Sequence, residues 1–380
     1  MRSMKNDNTI LESLQIVLTE EEVQKIAKLC GYIVVGRKLT VYKVLEYLMM
    51  ASIEECKSYR GTVVTKTAIY GLPEVEHTTL STRIAEIPYK VFKEIFELVV
   101  SKLNRETRRS LKIHKKILAI DSTTITTSKT QMKCAGFHGQ RSGIKLHVQL
   151  DVDAFTPTKV EESLAKRHDS TIADKLIEPM SIVVEDRAYG KIDRFDKYSK
   201  KLGQSFVIRI KDSLNVIQPK TLKRIPTKNT NIISDETCYL GIRKQSENRF
   251  RVVTFTDYKG KKIRVCTDLI KLSAETISEI YKMRWKEETF FRTIKQNLNL
   301  SKIFGTTENA VYNQLYAAMI AYVLIRYLYA EVDKRVQYAK ITMIEFIRNI
   351  RNNKFSTEVY IIIQKIIKKF LICPQLTGSS

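Results

Sequence analysis

Apolar residues recur at steps of three and four through the first 112 or so residues, the spacing of one helical face. Thr19 and Glu22 form a capping box before VQKIAKLC, and Gly31 predicts the stop of that helix. TVYKVLEYLMM keeps the same period. HTTLSTRIAEI predicts another helix starting after Thr78 or Thr79, with Leu80, Ile84 and Ile87 inward. With KTAIYGLPEV before it, this stretch reads either as a loose helix-turn-helix presenting Ser81, Thr82 and Arg83, or as plain helical packing. KLNRETRRSLKIHKK, residues 102–116, then carries seven Lys or Arg and one Glu. It reads as a domain boundary, solvated or laid along a phosphate backbone.

Beyond that boundary the period changes to two. KILAID predicts a short buried strand ending in Asp121. IKLHVQLDV alternates, with Ile144, Leu146, Val148, Leu150 and Val152 on one side and His147 on the outward side. TPTKVEESLA predicts a third strand. DSTIADKLIEP predicts a helix capped by Asp169, SIVVED a buried strand ending in Asp186, and SFVIRIK a fifth strand. The order β-β-β-α-β-α-β describes a mixed α/β domain. Residues from about 212 to 270 break the rhythm and read as a β-rich insertion, with a hairpin turning near Tyr258 to Gly260. Ser273 then opens a long helix, and the chain from about 306 onward is helical.

Charge changes the picture most. There are 65 Lys and Arg against 41 Asp and Glu, a net charge of +24. A basic excess spread along the whole chain points to a polyanion, nucleic acid first, although AT-rich codon usage also enriches Lys, Ile, Asn and Tyr. The six cysteines (Cys30, Cys56, Cys134, Cys238, Cys266 and Cys373) include no CxxC pair, which argues against a zinc site or a disulfide framework. MRSMKNDNTI has no apolar signal core, and LYAAMIAYVLI, Leu315 to Ile325, is shorter than a bilayer span. These features predict a soluble, cytoplasmic protein with no membrane partner.

The candidate chemistry lies in carboxylates. Asp121 and Asp186 each follow a buried strand, where α/β sheets usually place their sites. Mg²⁺ takes oxygen ligands, and a pair of such ions can activate an attacking oxygen and stabilise a leaving one in phosphoryl transfer. A third carboxylate is wanted, and YKMRWKEETFFRTIK offers Glu288. On one continuous helix Tyr281, Arg284, Glu288 and Lys295 would share an arc of about 60°, opposite Met283, Phe290 and Ile294. That face reads either as metal-assisted phosphate chemistry or as an ordinary solvated surface. No His or Lys is spaced to activate Ser122 or the Thr run after it as a nucleophile.

ILAIDST, IVVEDRAYG and the spacing Y-x2-R-x3-E-x6-K together resemble the DDE transposases of bacterial insertion sequences, in the group founded by insertion sequence four. SAETISEIY before the last block and GTTENAVYNQL after it also fit. The resemblance covers roughly residues 78 to 325. It implies an RNase H-like fold with a β-rich insertion, flanked by helical regions: 1–112 for DNA binding, 113–305 for catalysis and 306–380 at the C-terminus. It implies that Asp121, Asp186 and Glu288 hold two Mg²⁺ ions, for which Mn²⁺ can substitute. Tyr281, Arg284 and Lys295 would hold phosphates or orient Glu288, and Arg187 would touch DNA. The implied partners are the double-stranded terminal inverted repeats, target DNA and a second copy of the chain in a synaptic complex. The implied reaction is cut-and-paste transposition. The rivals are an RNase H-like nuclease without strand transfer and a transposase-derived DNA-binding regulator. Trp285 is a candidate for base stacking or for a core anchor, and His168 and Asp169 recur in the family's pattern. One departure is Ala188, where the family commonly has Gly.

Overall fold

The computed structural model describes the chain except residues 1–8, 34–37, 111–114, 129–135, 139–140, 165–171, 201–203, 223–229, 301, 339 and 373–380. Contacts divide it into two compact units. One joins residues 1–110, 125–143 and 292–380, and the other joins 111–124 and 144–291.

The first unit is largely helical. It contains α1 (Thr9–Val17), α2 (Glu20–Leu29), α3 (Val41–Ile53), α4 (Tyr59–Tyr70), α5 (His77–Glu86) and α6 (Tyr89–Ser110). After the second unit's elements come α10 (Glu308–Asp333), α11 (Met343–Asn352) and α12 (Thr357–Ile372). The Thr19 capping box is formed, and Gly31 adopts φ +78° just past α2, a backbone that an L side chain rarely takes. α5 begins at His77 and buries Leu80, Ile84 and Ile87 as the period predicts. Thr82 is exposed, whereas Arg83 bonds to the Tyr32 hydroxyl at 3.2 Å.

The centre of this unit is α10, enclosed by α3, α5 and α6. By length and composition α10 could cross a membrane, but 72% of its most apolar stretch is buried inside the protein. Its apolar surface is therefore used as core. Asn313 lies at zero exposure on α10, and its amide donates to the carbonyls of Ile84 at 3.0 Å and Ile87 at 2.8 Å. These carbonyls sit where α5 ends. Asn313→Ala is expected to lower unfolding stability by about 2 kcal/mol, because it leaves buried acceptors without a donor. Chemical denaturation checks this, and a loss under 0.5 kcal/mol would show that the amide is dispensable.

The second unit is built on one mixed sheet. Its strands are β1 (Lys116–Ser128), β3 (Arg141–Asp151), β4 (Thr156–Leu164), β5 (Ser181–Glu185), β6 (Ser205–Arg209), β7 (Val216–Thr221), β8 (Ile232–Leu240), β9 (Phe250–Thr256) and β10 (Lys262–Thr267). A short β2 (Gly136–His138) pairs with Arg141 and Ser142 within the first unit. The strand order is β4-β3-β1-β5-β6-β10-β9-β8-β7. β1, β5 and β6 run parallel, while β3–β4 and every pair from β6 outward to β7 are antiparallel. The β-rich segment predicted at about 212–270 thus extends the sheet from the β6 edge. Its β9–β10 hairpin turns at Gly260, φ +76°.

Both faces of the sheet are covered at β6. Phe206 and Ile208 of β6 pack with Phe195 and Tyr198 of α7 (Ile192–Lys200). Val207, which alternates with them, packs with Ile277, Ile280 and Tyr281 of α8 (Ala274–Lys282). On β3 one expectation is overturned. His147 is not on an outward face: it has zero exposure and its Nε2 lies 2.8 Å from Ser163 Oγ on β4. Alternation in β3 separates two buried faces, one of them partly polar, rather than core from solvent. The helix predicted around DSTIADKLIEP is, among the described residues, a 3₁₀ turn at Ala173–Leu176. His168 and Asp169 lie outside the described residues.

Candidate active site

Strand register brings the two aspartates together. β1 pairs with β5 so that Ile120 stands opposite Glu185, and the next position in each strand's path is Asp121 and Asp186. β5 pairs with β6 so that Glu185 stands opposite Ile208, which sets Arg209 beside Asp186. Adjacent strands lie about 4.8 Å apart, so Asp121, Asp186 and Arg209 form a row across three strands. Arg209 Nη1 is 4.0 Å from Asp186 Oδ1. β1 does not end at Asp121 as predicted but continues to Ser128. Asp121 Oδ1 accepts the Ser122 backbone N–H at 2.8 Å.

The turn after β5 explains the tolerated alanine. Ala188 is exposed and is not in the left-handed region, so it needs no glycine there. The constraint falls on Gly190, where a Cβ would stand 2.7 Å from the Arg209 carbonyl oxygen. Tyr189 is fully buried with Ile120, Leu176 and Val183, while Arg187 is exposed.

The long helix opened by Ser273 is real at its start, where the Ser273 hydroxyl accepts the Thr276 N–H. It is interrupted at Met283 and Arg284, and α9 (Trp285–Asn297) begins anew. Across the break Arg284, Lys286 and Glu287 bond to carbonyls three residues back. These tighter turns change the angular register from that of one continuous helix, while Arg284 stays in contact with Glu288. Tyr281 is 3% exposed in the core beneath α8, whereas the Glu288 side chain is 58% exposed. Phe290 and Ile294 are fully buried, as their spacing predicts. Lys295 is half-buried and falls in the other compact unit, and burial lowers its ammonium pKa.

Arg284 is the hub of the site. Its Nη2 donates to Glu288 Oε1 at 2.6 Å, and its Nη1 lies 3.7 Å from Asp121 Oδ2. Burial would lower the guanidinium pKa, but the Glu288 hydrogen bond and the charges of Tyr281, Glu288 and Asp186 more than offset it. The Tyr281 hydroxyl is pushed up to about 12, by burial first and then by the Asp186 charge, against the pull of Arg284 and Arg209. One guanidinium is therefore held between Asp121 and Glu288, with Asp186 within electrostatic range. Among the described residues no three His, Cys, Asp or Glu groups converge closely enough, as placed, to hold a metal ion.

Two further acidic residues escaped the sequence reading. Glu287 has zero exposure, and neither carboxylate oxygen has a hydrogen-bond partner. Burial, then the neighbouring Asp121 charge, raises its pKa well above the usual range, against the pull of the Arg284 charge and the Asp121 backbone N–H. That N–H lies near Glu287 without reaching hydrogen-bond geometry. Glu185 is also fully buried, and Arg194 on α7 donates to it at 2.7 Å. The EE doublet and the charged end of SIVVED were the available signals, but exposure is the ordinary expectation for either residue. Trp285 is half-buried, in edge contact with the exposed Tyr258 at 5.5 Å.

Residues 112–324 match the family described as Transposase DDE domain. The chain is 41% identical over 347 residues to a probable transposase for insertion sequence element IS5377 from Geobacillus stearothermophilus, covering 91% of each chain. It is 25% identical over 258 residues to a putative transposase for insertion sequence element IS4SA from Synechocystis sp., covering 67% of this chain and 72% of that one. A cryo-EM structure of a piggyBac transposase synaptic complex with hairpin DNA aligns over 99% of this chain and 84% of that one, at a TM-score of 0.46 and 11% identity. The two sequence blocks ending in Asp121 and Asp186, and the one carrying Glu288, all fall inside the matched family segment, and the chain belongs to the DDE transposases of insertion sequences.

Proposed function

We propose that Asp121, Asp186 and Glu288 are the catalytic carboxylates of an RNase H-like core that cuts double-stranded DNA at the element's inverted repeats and joins the freed ends to a target. The observation that carries this reading is the Arg284 guanidinium held between Asp121 and Glu288, beside Asp186. It marks a place where carboxylates already gather around positive charge. The strand order β4-β3-β1-β5-β6, antiparallel then parallel, supports the RNase H-like assignment.

The donor set is all oxygen and fits Mg²⁺, or Mn²⁺ in its place, once Arg284 gives up its two carboxylates. Two such ions, when bound, would activate the attacking oxygen and offset charge on the leaving one. Asp121 and Asp186, fixed on neighbouring strands, set the spacing of the site, and Glu288 reaches it from α9. In cleavage, water attacks the phosphodiester at the element end and the P–O bond to the 3′ oxygen breaks, releasing a 3′-OH. That hydroxyl then attacks a target phosphodiester, and the displaced strand leaves through its own 3′ oxygen. Arg284 and Arg209 are placed to take phosphate oxygens, Arg284 through a planar fork that suits bidentate contact. Tyr281, buried against Arg284, fixes that fork. Arg187 and Lys295 are further phosphate contacts in this reading. The N-terminal helices would read the ends, two copies would synapse them in the cytoplasm, and binding would fall steeply with salt.

The test is a supercoiled plasmid carrying the gene's flanking ends, treated with wild type or Glu288→Gln, in Mg²⁺ or Ca²⁺. Wild type in Mg²⁺ is expected to release the element and join it elsewhere, and the other combinations to bind without cutting. Equal cutting by Glu288→Gln removes Glu288 from the triad. Cutting without joining favours a nuclease.

A further inference from the structure

We propose that the outward face of α12, together with Tyr338 in the segment before α11, is a binding surface for target DNA. The proposal rests on the strand-transfer reading above. α12 buries Val359, Ile363 and Ile366 on one side and turns Thr357, Tyr360, Ile361, Lys365 and Lys368 outward. None of these exposed residues is acidic. The segment between α10 and α11 adds the exposed Lys340 and Tyr338, which at 90% is the most exposed large hydrophobic residue among those described. Two bonds hold this segment, one on either side of Tyr338. The Gln337 N–H donates to Glu358 Oε1 at 2.9 Å, on the first turn of α12. The Tyr329 hydroxyl of α10 donates to the Ile341 carbonyl at 3.1 Å. Tyr338 is therefore presented on an anchored segment, and the carboxylate of Glu358 is taken up by one of the anchors.

The chemistry of this surface suits the DNA backbone. Among the described residues Lys340, Lys365 and Lys368 make no ion pair, whereas Lys334 and Arg335 share Glu331. Their uncompensated ammoniums match phosphates, and the tyrosines offer a hydroxyl to a phosphate oxygen and a ring to a sugar. Tyr338, Tyr360 and Ile361 all stand within a few residues of the Gln337–Glu358 bond, so they form a patch rather than scattered surface residues. Contacts of this kind hold DNA in place and read no bases. That property separates the two DNAs of the reaction. Element ends must be recognised by sequence, whereas a target need only be held, largely by charge. The chain-wide charge of +24 in a DNA transposase favours DNA over a lipid surface or a second copy as the occupant.

The full chain is titrated at several salt concentrations against a random-sequence duplex and against a duplex of equal length carrying an element end. Lys340→Gln, Lys365→Gln and Lys368→Gln together are expected to weaken random-duplex binding about tenfold and to lower the salt slope by about 2–3. Lys340→Arg, Lys365→Arg and Lys368→Arg together should keep the wild-type slope, since the charge is retained. Tyr338→Ala should weaken the same binding about threefold with the slope unchanged, because it removes no charge. In the plasmid assay the ratio of joined to cut ends should fall about tenfold in the triple glutamine variant, in step with target affinity. All four side chains are exposed, and a thermal scan verifies folding. An unchanged slope in the triple glutamine variant overturns the proposal. So does an equal loss on the end-bearing duplex, which assigns the surface to the ends. Lost binding to phosphatidylglycerol vesicles with random-duplex binding intact assigns it to a membrane, and a monomeric variant of a dimeric wild type assigns it to a second copy; either overturns the proposal. Wild type that cuts but joins no ends removes the strand-transfer reading, and the target assignment falls with it.

Discussion

Asp121→Asn is expected to reduce both end cleavage and strand transfer by about 10³-fold or more, since loss of an ion ligand forfeits several kcal/mol of transition-state stabilisation. The substitution keeps the side chain's size and its hydrogen bond from the Ser122 N–H. It removes only the charge that faces Arg284 Nη1. Asp121 is flanked in β1 by Leu118, Ala119 and Ile120, all fully buried, so the strand keeps its core and the protein should fold as before. Binding to the element ends should be unchanged or slightly tighter, because a negative charge near the phosphates is gone. The measurement pairs plasmid cleavage with a mobility-shift titration of the ends. Cleavage within threefold of wild type would displace Asp121 from the chemistry, whatever the fold suggests.

The largest effect on stability is expected at Arg251. It has zero exposure at the start of β9, yet its charge is matched. Nε and Nη2 donate to both oxygens of Asp235 at 2.7 and 2.8 Å, and Nη1 donates to the carbonyls of Leu269 and Leu272, each at 2.7 Å. The second pair of bonds anchors the segment from which Ser273 opens α8. Arg251→Ala strands a buried carboxylate and two carbonyls and is expected to cost about 3–5 kcal/mol. Arg251→Met with Asp235→Leu removes both charges together and should recover most of that loss. Denaturant titration of the single and double variants decides it. A double variant as unstable as the single one would mean that the carbonyl anchors matter more than the ion pair.

Much of this architecture was legible because apolar period reports burial. Ile182 to Val184 and Phe206 to Ile208 read as strands from their runs alone, and the Asp257–Gly260 turn was marked by its glycine. The same signal failed wherever a polar group is buried. His147, Arg251, Glu185 and Glu287 are all at zero exposure, and each is hidden by a tertiary partner or neighbour that no local pattern displays. The helix carrying the site shows the second limit. Residue spacing gave Tyr281, Arg284 and Glu288 in the right order, but the arc they were assigned assumed an unbroken 3.6-residue repeat. The tightened turns at Met283 and Arg284 follow an α8 whose Ile277, Ile280 and Tyr281 pack in one cluster with Val253 and Phe255, residues from a different part of the chain. The pairing of Asp121 with Asp186 needed strand register, which alternation alone leaves open.

The arrangement of the helical unit sets a schedule for its synthesis. α1 through α6 are translated before any residue of α10, and about 200 residues intervene, most of them belonging to the other unit. At roughly 5–20 residues per second, the first helices wait on the order of 10–40 s for the helix they enclose. During that wait Phe92, Phe96 and Val99, fully buried in the finished protein, have no α10 to cover them. The nascent chain therefore carries a long-lived apolar surface on the ribosome, and its yield depends on what shields that surface before residue 308 arrives.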